Sequence, residues 1–191
     1  MKETIIYGGA FYPPTRAHQA ILQACVDYAT SRDADVWLLP SASRTDKDIQ
    51  GSNECRIELC EALCHDVLQR TVCVNLCLSE LERTVPTETF DTVQEFSANY
   101  PDRTFIWVFG SDAVATMQSW NHGDWLHDNL SMLVVSRPDV PPVVLSARAL
   151  WLKVETGDIS STEVRRRMAS GEDYSSMVSE NVAALLESAM V

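Results

Sequence analysis

Two glycines and a histidine near the start of the chain have the types and the spacing of a phosphate-binding site. An apolar run ends at Gly8 and Gly9, and two prolines then precede Thr15 and a helical pattern that contains His18. Glycines let a backbone approach a ligand closely, while the free N–H groups and positive dipole of a helix N-terminus favour an anion. The sequence therefore predicts a strand, a phosphate-binding loop and a helix with Thr15 as its N-cap. By itself, a glycine pair after a strand is more often only a turn.

A second group of residues suited to anions lies near the other end of the chain. Ser160, Ser161 and Thr162 stand where a helix is predicted to start, and Arg165 follows one turn later. Hydroxyl groups, free backbone N–H groups and a guanidinium at one helix end can all donate hydrogen bonds to phosphate oxygens. A capped helix with a basic exposed face explains the same residues without a ligand.

A third candidate follows the most β-rich apolar run of the chain, residues 104–109. Gly110 and Asp112 come directly after it, and open parallel sheets use a carboxylate there to hold a ribose or a phosphate. Asp112 as a plain helix cap is an equal alternative. On its pattern alone, Trp120 is an ordinary core residue.

These three groups need a scaffold that brings distant parts of the sequence together. The strands predicted after the first are 34–40, 72–78, 104–109, 130–135 and 151–154. The helices predicted after the first include 54–69, 113–120 and 178–190. This order indicates an α/β fold over 1–191 as a single domain: a doubly wound, Rossmann-like parallel sheet with helices on both faces. Its ligand crevice is expected at the carboxyl ends of the first and fourth strands.

The charge balance narrows the possible partners. The chain of 191 residues has 15 basic and 27 acidic side chains and a net charge of −12, which argues against a general nucleic-acid-binding face. A phosphate ligand must then be held by a few local donors. The N-terminus lacks the pattern of a signal peptide and no apolar run is long enough to cross a bilayer. We therefore expect a cytoplasmic protein without a membrane partner.

Six cysteines are present, and none belongs to a Cys-x-x-Cys pair. We expect buried free thiols that pack as small apolar side chains, rather than a metal site or a disulfide framework. The six are Cys25, Cys55, Cys60, Cys64, Cys73 and Cys77.

The glycine loop and the hydroxyl-rich helix start resemble two signatures of the nucleotidyltransferase superfamily. In that superfamily the loop ends in His-x-Gly-His or Thr-x-Gly-His, and the second signature is Ile-Ser-Ser-Thr-x-x-Arg. The similar stretches here are Gly8-Gly9-Ala10-Phe11-x-Pro13-x-Thr15-x-Ala17-His18 and Ile159-Ser160-Ser161-Thr162-x-x-Arg165. Ala17 departs from the usual glycine.

Further stretches are similar to the nicotinate/nicotinamide-mononucleotide adenylyltransferases of that superfamily. They are Phe109-Gly110-Ser111-Asp112-x5-Gln118-x-Trp120, Leu133-Val134-Val135-x-Arg137-Pro138 and Thr87-Glu88-Thr89-x-Asp91-Thr92-Val93. The last resembles Ser-Tyr-Thr-x-Asp-Thr-Leu of that family, with Glu88 in place of the tyrosine. A carboxylate there would repel an acceptor that carries its own ring carboxylate, so Glu88 favours the amide form of the acceptor.

The resemblance implies an enzyme that transfers AMP from ATP to nicotinamide or nicotinate mononucleotide and releases pyrophosphate. It implies catalytic roles for His18, Thr15, Lys47 and Arg165. The ATP site that it implies comprises Gly8, Gly9, Ala10, Phe11, His18, Gly110, Asp112, Ile159, Ser160, Ser161, Thr162 and Arg165. The acceptor site comprises Thr87, Glu88, Thr89, Trp120 and Arg137. Mg²⁺ is expected with ATP, without a dedicated carboxylate cage, because it keeps mostly phosphate and water ligands.

Three altered positions keep other functions open. Ala17, Asp46 and Glu88 differ from the family pattern, which has histidine before the residue that corresponds to Lys47. A related transferase that acts on phosphopantetheine or uses CTP would share His18 and the Ser-Ser-Thr helix start. A nucleotide-binding protein that has lost turnover would also show such changes. The sequence leaves a homo-oligomer open.

Overall fold

Strands and helices alternate along the part of the chain that the structure describes. This structure is a computed structural model, and it describes residues 1–42, 49–68, 71–85, 88–136 and 143–188. The strands are β1 (Lys2–Gly9), β2 (Asp35–Pro40), β3 (Val74–Leu76), β4 (Arg103–Gly110), β5 (Ser131–Val135) and β6 (Ala149–Leu152). The helices are α1 (Arg16–Thr30), α2 (Asn53–His65), α3 (Thr89–Asn99), α4 (Ser111–Thr116), α5 (Gly123–Asn129), α6 (Ser161–Ser170) and α7 (Glu180–Ser188). None of the helices in these ranges has the length and apolar character needed to span a bilayer.

The strands form one sheet in the order β3-β2-β1-β4-β5-β6, and every neighbouring pair in the described ranges is parallel. The winding reverses at β1, because the chain first runs outward to β3 on one side and then returns to β4 on the other. Tyr7 lies beside both Leu38 and Val108, so the carboxyl ends of β1 and β4 are adjacent. The predicted doubly wound parallel sheet is confirmed, and its switch point is where such sheets bind ligands.

The sheet is buried on both faces because successive residues of a strand point to opposite sides. Ile5 and Ile6 of β1 are both 0 % exposed, yet they belong to different cores. Helices α1, α2, α6 and α7 contribute to the core around Ile5, whereas α3, α4 and α5 contribute to the core around Ile6. The prediction of helices on both faces is therefore confirmed.

The third strand is shorter than predicted, and this changes the surroundings of two cysteines. In the described part of the chain β3 lies at the edge of the sheet and pairs with β2 alone, over Val74–Leu76, so Cys73 and Cys77 flank it. Cys73 is exposed, and the expectation of a buried thiol is wrong there. Cys60 and Cys64 are buried as expected, and burial raises the pKa of both thiols to about 12.

The helix predicted at 113–120 is divided in the structure. α4 starts earlier, with Gly110 as its N-cap, and passes into a 3₁₀ turn at Met117–Ser119. The pattern did not predict α5, which begins after His122 in the left-handed conformation, with φ 53°. A Cβ atom on Gly123 would lie 2.0 Å from the carbonyl oxygen of Met117, so this close approach requires a glycine.

Candidate active site

The loop between β1 and α1 is organised around the buried ring of Phe11. This ring is 1 % exposed and packs edge-on against Tyr7 and His18, with ring centroids 5.3 and 5.4 Å apart. A Cβ atom on Gly9 would lie 3.0 Å from Phe11 Cζ, whereas the nearest atom to one on Gly8 is 3.8 Å away. Gly9 therefore makes room for the loop's own ring, whereas Gly8 is exposed at the end of β1 and a Cβ there would make only an ordinary contact with the Leu39 carbonyl oxygen.

Thr15 and His18 cap the start of α1 together. Thr15 is the N-cap, as predicted, and its backbone N–H donates to His18 Nδ1 at 3.0 Å. The Thr15 hydroxyl lies 2.8 Å from the same nitrogen. Because Nδ1 accepts the backbone hydrogen bond, the ring proton is on Nε2, which makes His18 a hydrogen-bond donor on its far side. Thr15 itself is 1 % exposed, which favours a role in orienting His18.

The start of α6 lies against the β1–α1 loop. Ser160 is the N-cap of α6 and accepts the backbone N–H of Glu163 at 3.2 Å. Ser161 Oγ donates to the carbonyl of Pro13 at 2.9 Å. Arg165 Nη1 donates to the carbonyl of Tyr12 at 2.7 Å. The two stretches that resemble superfamily signatures are thus in direct contact, although almost 150 residues separate them in sequence.

The three consecutive arginines of α6 have different partners. Arg166 is hydrogen-bonded to both Glu163 and Glu172, and Arg167 to Glu163. These two arginines lower the pKa of Glu163 to about 2. Arg165 instead reaches the β1–α1 loop, which makes it the arginine of the three that faces the candidate phosphate site.

The carboxyl end of β4 leads directly into α4. Gly110 is the N-cap of α4, so Asp112 is not the capping residue and that alternative is wrong. Asp112 is exposed in the first turn of α4, directly after β4, which is the strand next to β1. Trp120 is half-buried and packs edge-on against Phe109 at 6.0 Å, so part of the indole joins the core and part reaches the surface.

The start of α3 lies close to the segment that follows Trp120. Phe90 stacks on His122 with the ring centroids 4.0 Å apart. Thr89 is the first residue of α3 and Glu88 is its N-cap, with no capping hydrogen bond from the Glu88 side chain. Two of the predicted acceptor residues therefore lie close to this ring contact in sequence, since Thr89 precedes Phe90 and Trp120 is two residues before His122. The predictions for Lys47, Thr87 and Arg137, and the altered position Asp46, lie outside the described residues.

Sequence reasoning missed two buried ionisable residues beneath the site, Arg56 and Glu80. Arg56 is 2 % exposed and Glu80 is 7 % exposed. Burial lowers the pKa of Arg56 and raises the pKa of Glu80, although attraction between charges opposes the first shift and a hydrogen bond from Thr92 opposes the second. Helical spacing held a signal for Arg56, because it shares the buried face of α2 with Leu59 and Leu63.

A fold with phosphate-binding elements at the switch point of a parallel sheet is typical of nucleotide-binding α/β proteins. A family model described as cytidylyltransferase-like matches residues 6–167, and the chain belongs to this family. The predicted nucleotidyltransferase class is confirmed.

Curated relatives narrow the family further. A probable nicotinate-nucleotide adenylyltransferase of Anaeromyxobacter dehalogenans (strain 2CP-1) is 30 % identical over 97 % of this chain and 94 % of that protein. One of the same name from Exiguobacterium sibiricum is 28 % identical over 95 % of this chain and 94 % of that protein. The predicted resemblance to the nicotinate/nicotinamide-mononucleotide adenylyltransferases is confirmed.

Solved structures show the same fold. Plasmodium falciparum nicotinic acid mononucleotide adenylyltransferase complexed with NaAD superposes with a TM-score of 0.82 at 18 % identity, covering 100 % of this chain and 97 % of that chain. A nicotinate-nucleotide adenylyltransferase of Vibrio parahaemolyticus has a TM-score of 0.69 at 21 % identity, covering 98 % of this chain and 99 % of that chain.

Proposed function

We propose that the protein transfers AMP from ATP to nicotinate mononucleotide, forming the dinucleotide and releasing pyrophosphate. The observation that carries this proposal is the contact between the start of α6 and the β1–α1 loop, where Ser161 and Arg165 bond to loop carbonyls. This contact brings two sets of phosphate donors to one end of the sheet. The names of the curated relatives support the choice of reaction and acceptor.

The proposed reaction is an in-line displacement at the α-phosphorus of ATP. A phosphate oxygen of the acceptor forms the new P–O bond, and the bond between the α-phosphorus and the bridging oxygen to the β-phosphate breaks. The electron pair leaves with pyrophosphate. The acceptor phosphate is already an anion, so the enzyme has to align the reactants and stabilise charge rather than supply a general base.

Within this proposal, His18 donates its Nε2 proton as a hydrogen bond to the α- or β-phosphate. Thr15 holds the imidazole in that orientation through the bond to Nδ1. Arg165, with the Thr162 hydroxyl and the free N–H groups at the start of α6, holds the departing pyrophosphate, while the Ser161 hydroxyl holds the Pro13 carbonyl of the loop. Gly8, which is exposed at the end of β1, is proposed to let the backbone approach the phosphates. The same role at the pyrophosphate is proposed for Lys47.

The adenosine and the acceptor are proposed to bind on the β4 side of the switch point. Gly110 and Asp112 would contact the adenosine at the carboxyl end of β4. The exposed part of Trp120 and the Thr89 hydroxyl would contact the pyridine nucleotide. Thr87 and Arg137 remain proposals on sequence grounds.

Mg²⁺ is proposed to enter with ATP. In the described ranges, no group of three or more His, Cys, Asp or Glu side chains is arranged to hold a metal ion. The phosphate oxygens and water are suitable ligands, since Mg²⁺ is commonly bound through substrate phosphates. Bound in this way, Mg²⁺ neutralises part of the triphosphate charge.

The proposed function is tested by pyrophosphate release from MgATP with nicotinate mononucleotide, nicotinamide mononucleotide and phosphopantetheine supplied separately. Release is expected with the pyridine nucleotides and not with phosphopantetheine, and CTP in place of ATP should give none. Release with phosphopantetheine or CTP would replace the proposal with the related transferases. Binding of ATP without release for any acceptor would identify a protein that has lost turnover.

Glu88 is the one proposed acceptor residue whose charge argues against nicotinate, because its carboxylate would repel the ring carboxylate of that acceptor. Its Oε2 atom is buried and has no hydrogen-bond partner among the described residues. The expectation that Glu88 favours the amide stays a prediction. We choose nicotinate because the relatives' names rest on nearly the whole chain, whereas the charge argument rests on one side chain.

Replacing Glu88 with Gln or Tyr is expected to raise kcat/KM for nicotinate mononucleotide relative to the amide by at least about fivefold, because a nearby like charge is removed. The measurement is the ratio of the two kcat/KM values in each variant. Glu82→Gln removes an exposed carboxylate from the same connection and should leave the ratio unchanged. An unchanged ratio in both Glu88 variants would show that this carboxylate does not face the pyridine ring.

Location, domain organisation and assembly complete the proposal. A cytoplasmic location agrees with six free cysteines. A single domain over 1–191 and a homo-oligomer stay predictions. β6 is the last strand of the sheet among the described residues, and its exposed Leu150 and Trp151 offer a surface for a second copy.

A further inference from the structure

We propose that Arg56 and Glu80 are positioning residues that clamp one peptide unit and thereby fix the ATP loop relative to the start of the acceptor helix α3. The peptide unit is the bond between Ser41 and Ala42, directly after β2. This inference rests on the proposed function for the assignment of the two substrate sites. It concerns residues that touch neither substrate.

Arg56 forms the first half of the clamp. Its Nε donates to the carbonyl of Ala10 in the β1–α1 loop at 2.9 Å, and its Nη2 donates to the carbonyl of Ser41. The guanidinium therefore links the residue that follows β1 to the residue that follows β2. Ser41 also donates its backbone N–H to the carbonyl of Gly9 at 2.9 Å, which adds a second link between these two strand ends.

Glu80 forms the second half. Its carboxylate accepts the backbone N–H of Ala42 and the Thr92 hydroxyl, the latter at 2.7 Å from Oε1. Thr92 lies in the first turn of α3, three residues after Thr89, and is 0 % exposed. Arg83 Nη1 donates to the Thr92 hydroxyl oxygen at 3.0 Å, so that hydroxyl is fixed from both sides.

The two halves meet on the same peptide unit. The carbonyl of Ser41 and the N–H of Ala42 belong to one peptide bond and point in opposite directions. The Arg56 cation lies at the negative oxygen of this peptide unit and the Glu80 carboxylate at its positive N–H, so both charges are attracted to its dipole. Hydrogen bonds linked in this way polarise and strengthen one another. The result is a continuous hydrogen-bonded path from Ala10 through Arg56, the 41–42 peptide and Glu80 to Thr92, in which the side chains of Arg56, Glu80 and Thr92 are buried.

This path has one end in the proposed ATP loop and the other in the proposed acceptor helix. If it positions both, a change at one end should weaken binding at the other. A residue that only supports the fold would lower the melting temperature without changing the Michaelis constants selectively. The arrangement is therefore tested by changing one end and measuring binding at the other. Variants of Thr92, at the acceptor end, are tested for ATP binding, and variants of Arg56, at the ATP end, are tested for the KM of the acceptor.

The sharpest variants are Thr92→Val and Thr92→Ser. Valine keeps the shape and removes the hydroxyl, whereas serine keeps the hydroxyl. We expect Thr92→Val to raise both the Kd for MgATP and the KM for the acceptor by at least about fivefold, within the usual range for coupled sites. Thr92→Ser should stay within about twofold of wild type. Glu80→Gln should behave as Thr92→Val does, and Arg56→Lys should raise KM for the acceptor as well as for ATP.

Matched controls lie at the amino ends of the strands, on the side of the sheet away from the proposed site. Arg103 Nη1 bonds to Asp35 Oδ2 at 2.6 Å and to Thr4 Oγ1 at 2.7 Å, where β4 and β2 begin. Arg103→Lys and Asp35→Asn should lower the melting temperature and leave both substrate constants within about twofold. These two variants measure how far the melting temperature and the substrate constants change when a half-buried polar network far from the site is lost.

The outcomes separate the inference from the proposed function. If Thr92→Val alters only the acceptor constant and Arg56→Lys only the ATP constant, the two groups are independent supports and the inference is wrong. Equal effects of Thr92→Val and Thr92→Ser would also overturn it. Binding of MgATP by wild type and the Thr92 pair is measured without turnover, so it tests the path even if no acceptor gives pyrophosphate. Thr92→Ser and Thr92→Val keep the test open if the Arg56 variant does not fold.

Discussion

Replacing His18 is expected to separate turnover from stability. His18→Ala removes a phosphate donor and should lower kcat about 10²- to 10³-fold, the usual cost of one such donor in a transition state. It also breaks the capping interaction with Thr15. That loss is worth about 1 kcal/mol, or a few degrees in the melting temperature.

Two further variants at position 18 make the test specific. Glu and Gln are the usual residues at this position of a capping box, so both should restore the bond to the Thr15 N–H. Gln keeps an N–H donor on the far side of the amide, whereas Glu puts a negative charge towards the phosphates. Turnover should therefore fall in the order Gln, Ala, Glu, while stability should be lowest for Ala.

Steady-state kcat and thermal unfolding of the three variants are the measurements. A residue that serves only the fold would give turnover that follows stability, with Glu and Gln alike and Ala lowest. That order would remove His18 from the proposed chemistry. It would leave Thr15 and His18 as a helix cap.

The parts of the site that could be predicted are those made by neighbours in sequence. Thr15 and His18 are three residues apart, and a capping position follows from local spacing alone. The doubly wound sheet followed from alternating apolar runs, because right-handed crossovers leave few arrangements. The approach of the α6 start to the β1–α1 loop was implied by the resemblance, and the structure shows it as contacts of Ser161 and Arg165 with Pro13 and Tyr12.

The parts that could not be predicted depend on tertiary contacts. Among the described residues β3 pairs with β2 alone, and nothing in residues 72–78 shows that this strand lies at an edge of the sheet. The roles of Arg56 and Glu80 require the 41–42 peptide, which is distant from both in sequence. Helical spacing and charge alone could not separate Arg165 from Arg166 and Arg167; the resemblance to the Ile-Ser-Ser-Thr-x-x-Arg signature did, and the partners of the three side chains agree with it.

Arg165 is the residue for which a matched control lies one position away. Arg165→Ala is expected to lower kcat about 100-fold, because a charge-assisted donor to the departing pyrophosphate is lost. The kcat of Arg165→Lys should lie between those of wild type and Arg165→Ala. One ammonium group cannot bond the Tyr12 carbonyl and a phosphate with the fixed geometry of a guanidinium. Arg166→Ala removes the same charge from the same helix, yet its partners are Glu163 and Glu172 on the surface, so kcat should stay within about twofold.

Binding of AMP and of pyrophosphate, the two parts into which the reaction divides ATP, shows where Arg165 acts. Pyrophosphate should bind at least about tenfold more weakly to Arg165→Ala than to wild type, whereas AMP should bind equally well, because the lost contact lies at the leaving group. Titration calorimetry with each ligand measures both constants. Equal weakening of AMP and pyrophosphate would mean that Arg165 acts by holding the Tyr12 carbonyl and the loop. A loss in Arg166→Ala as large as that in Arg165→Ala would mean that the overall charge of α6 matters, and not the one guanidinium that reaches the loop.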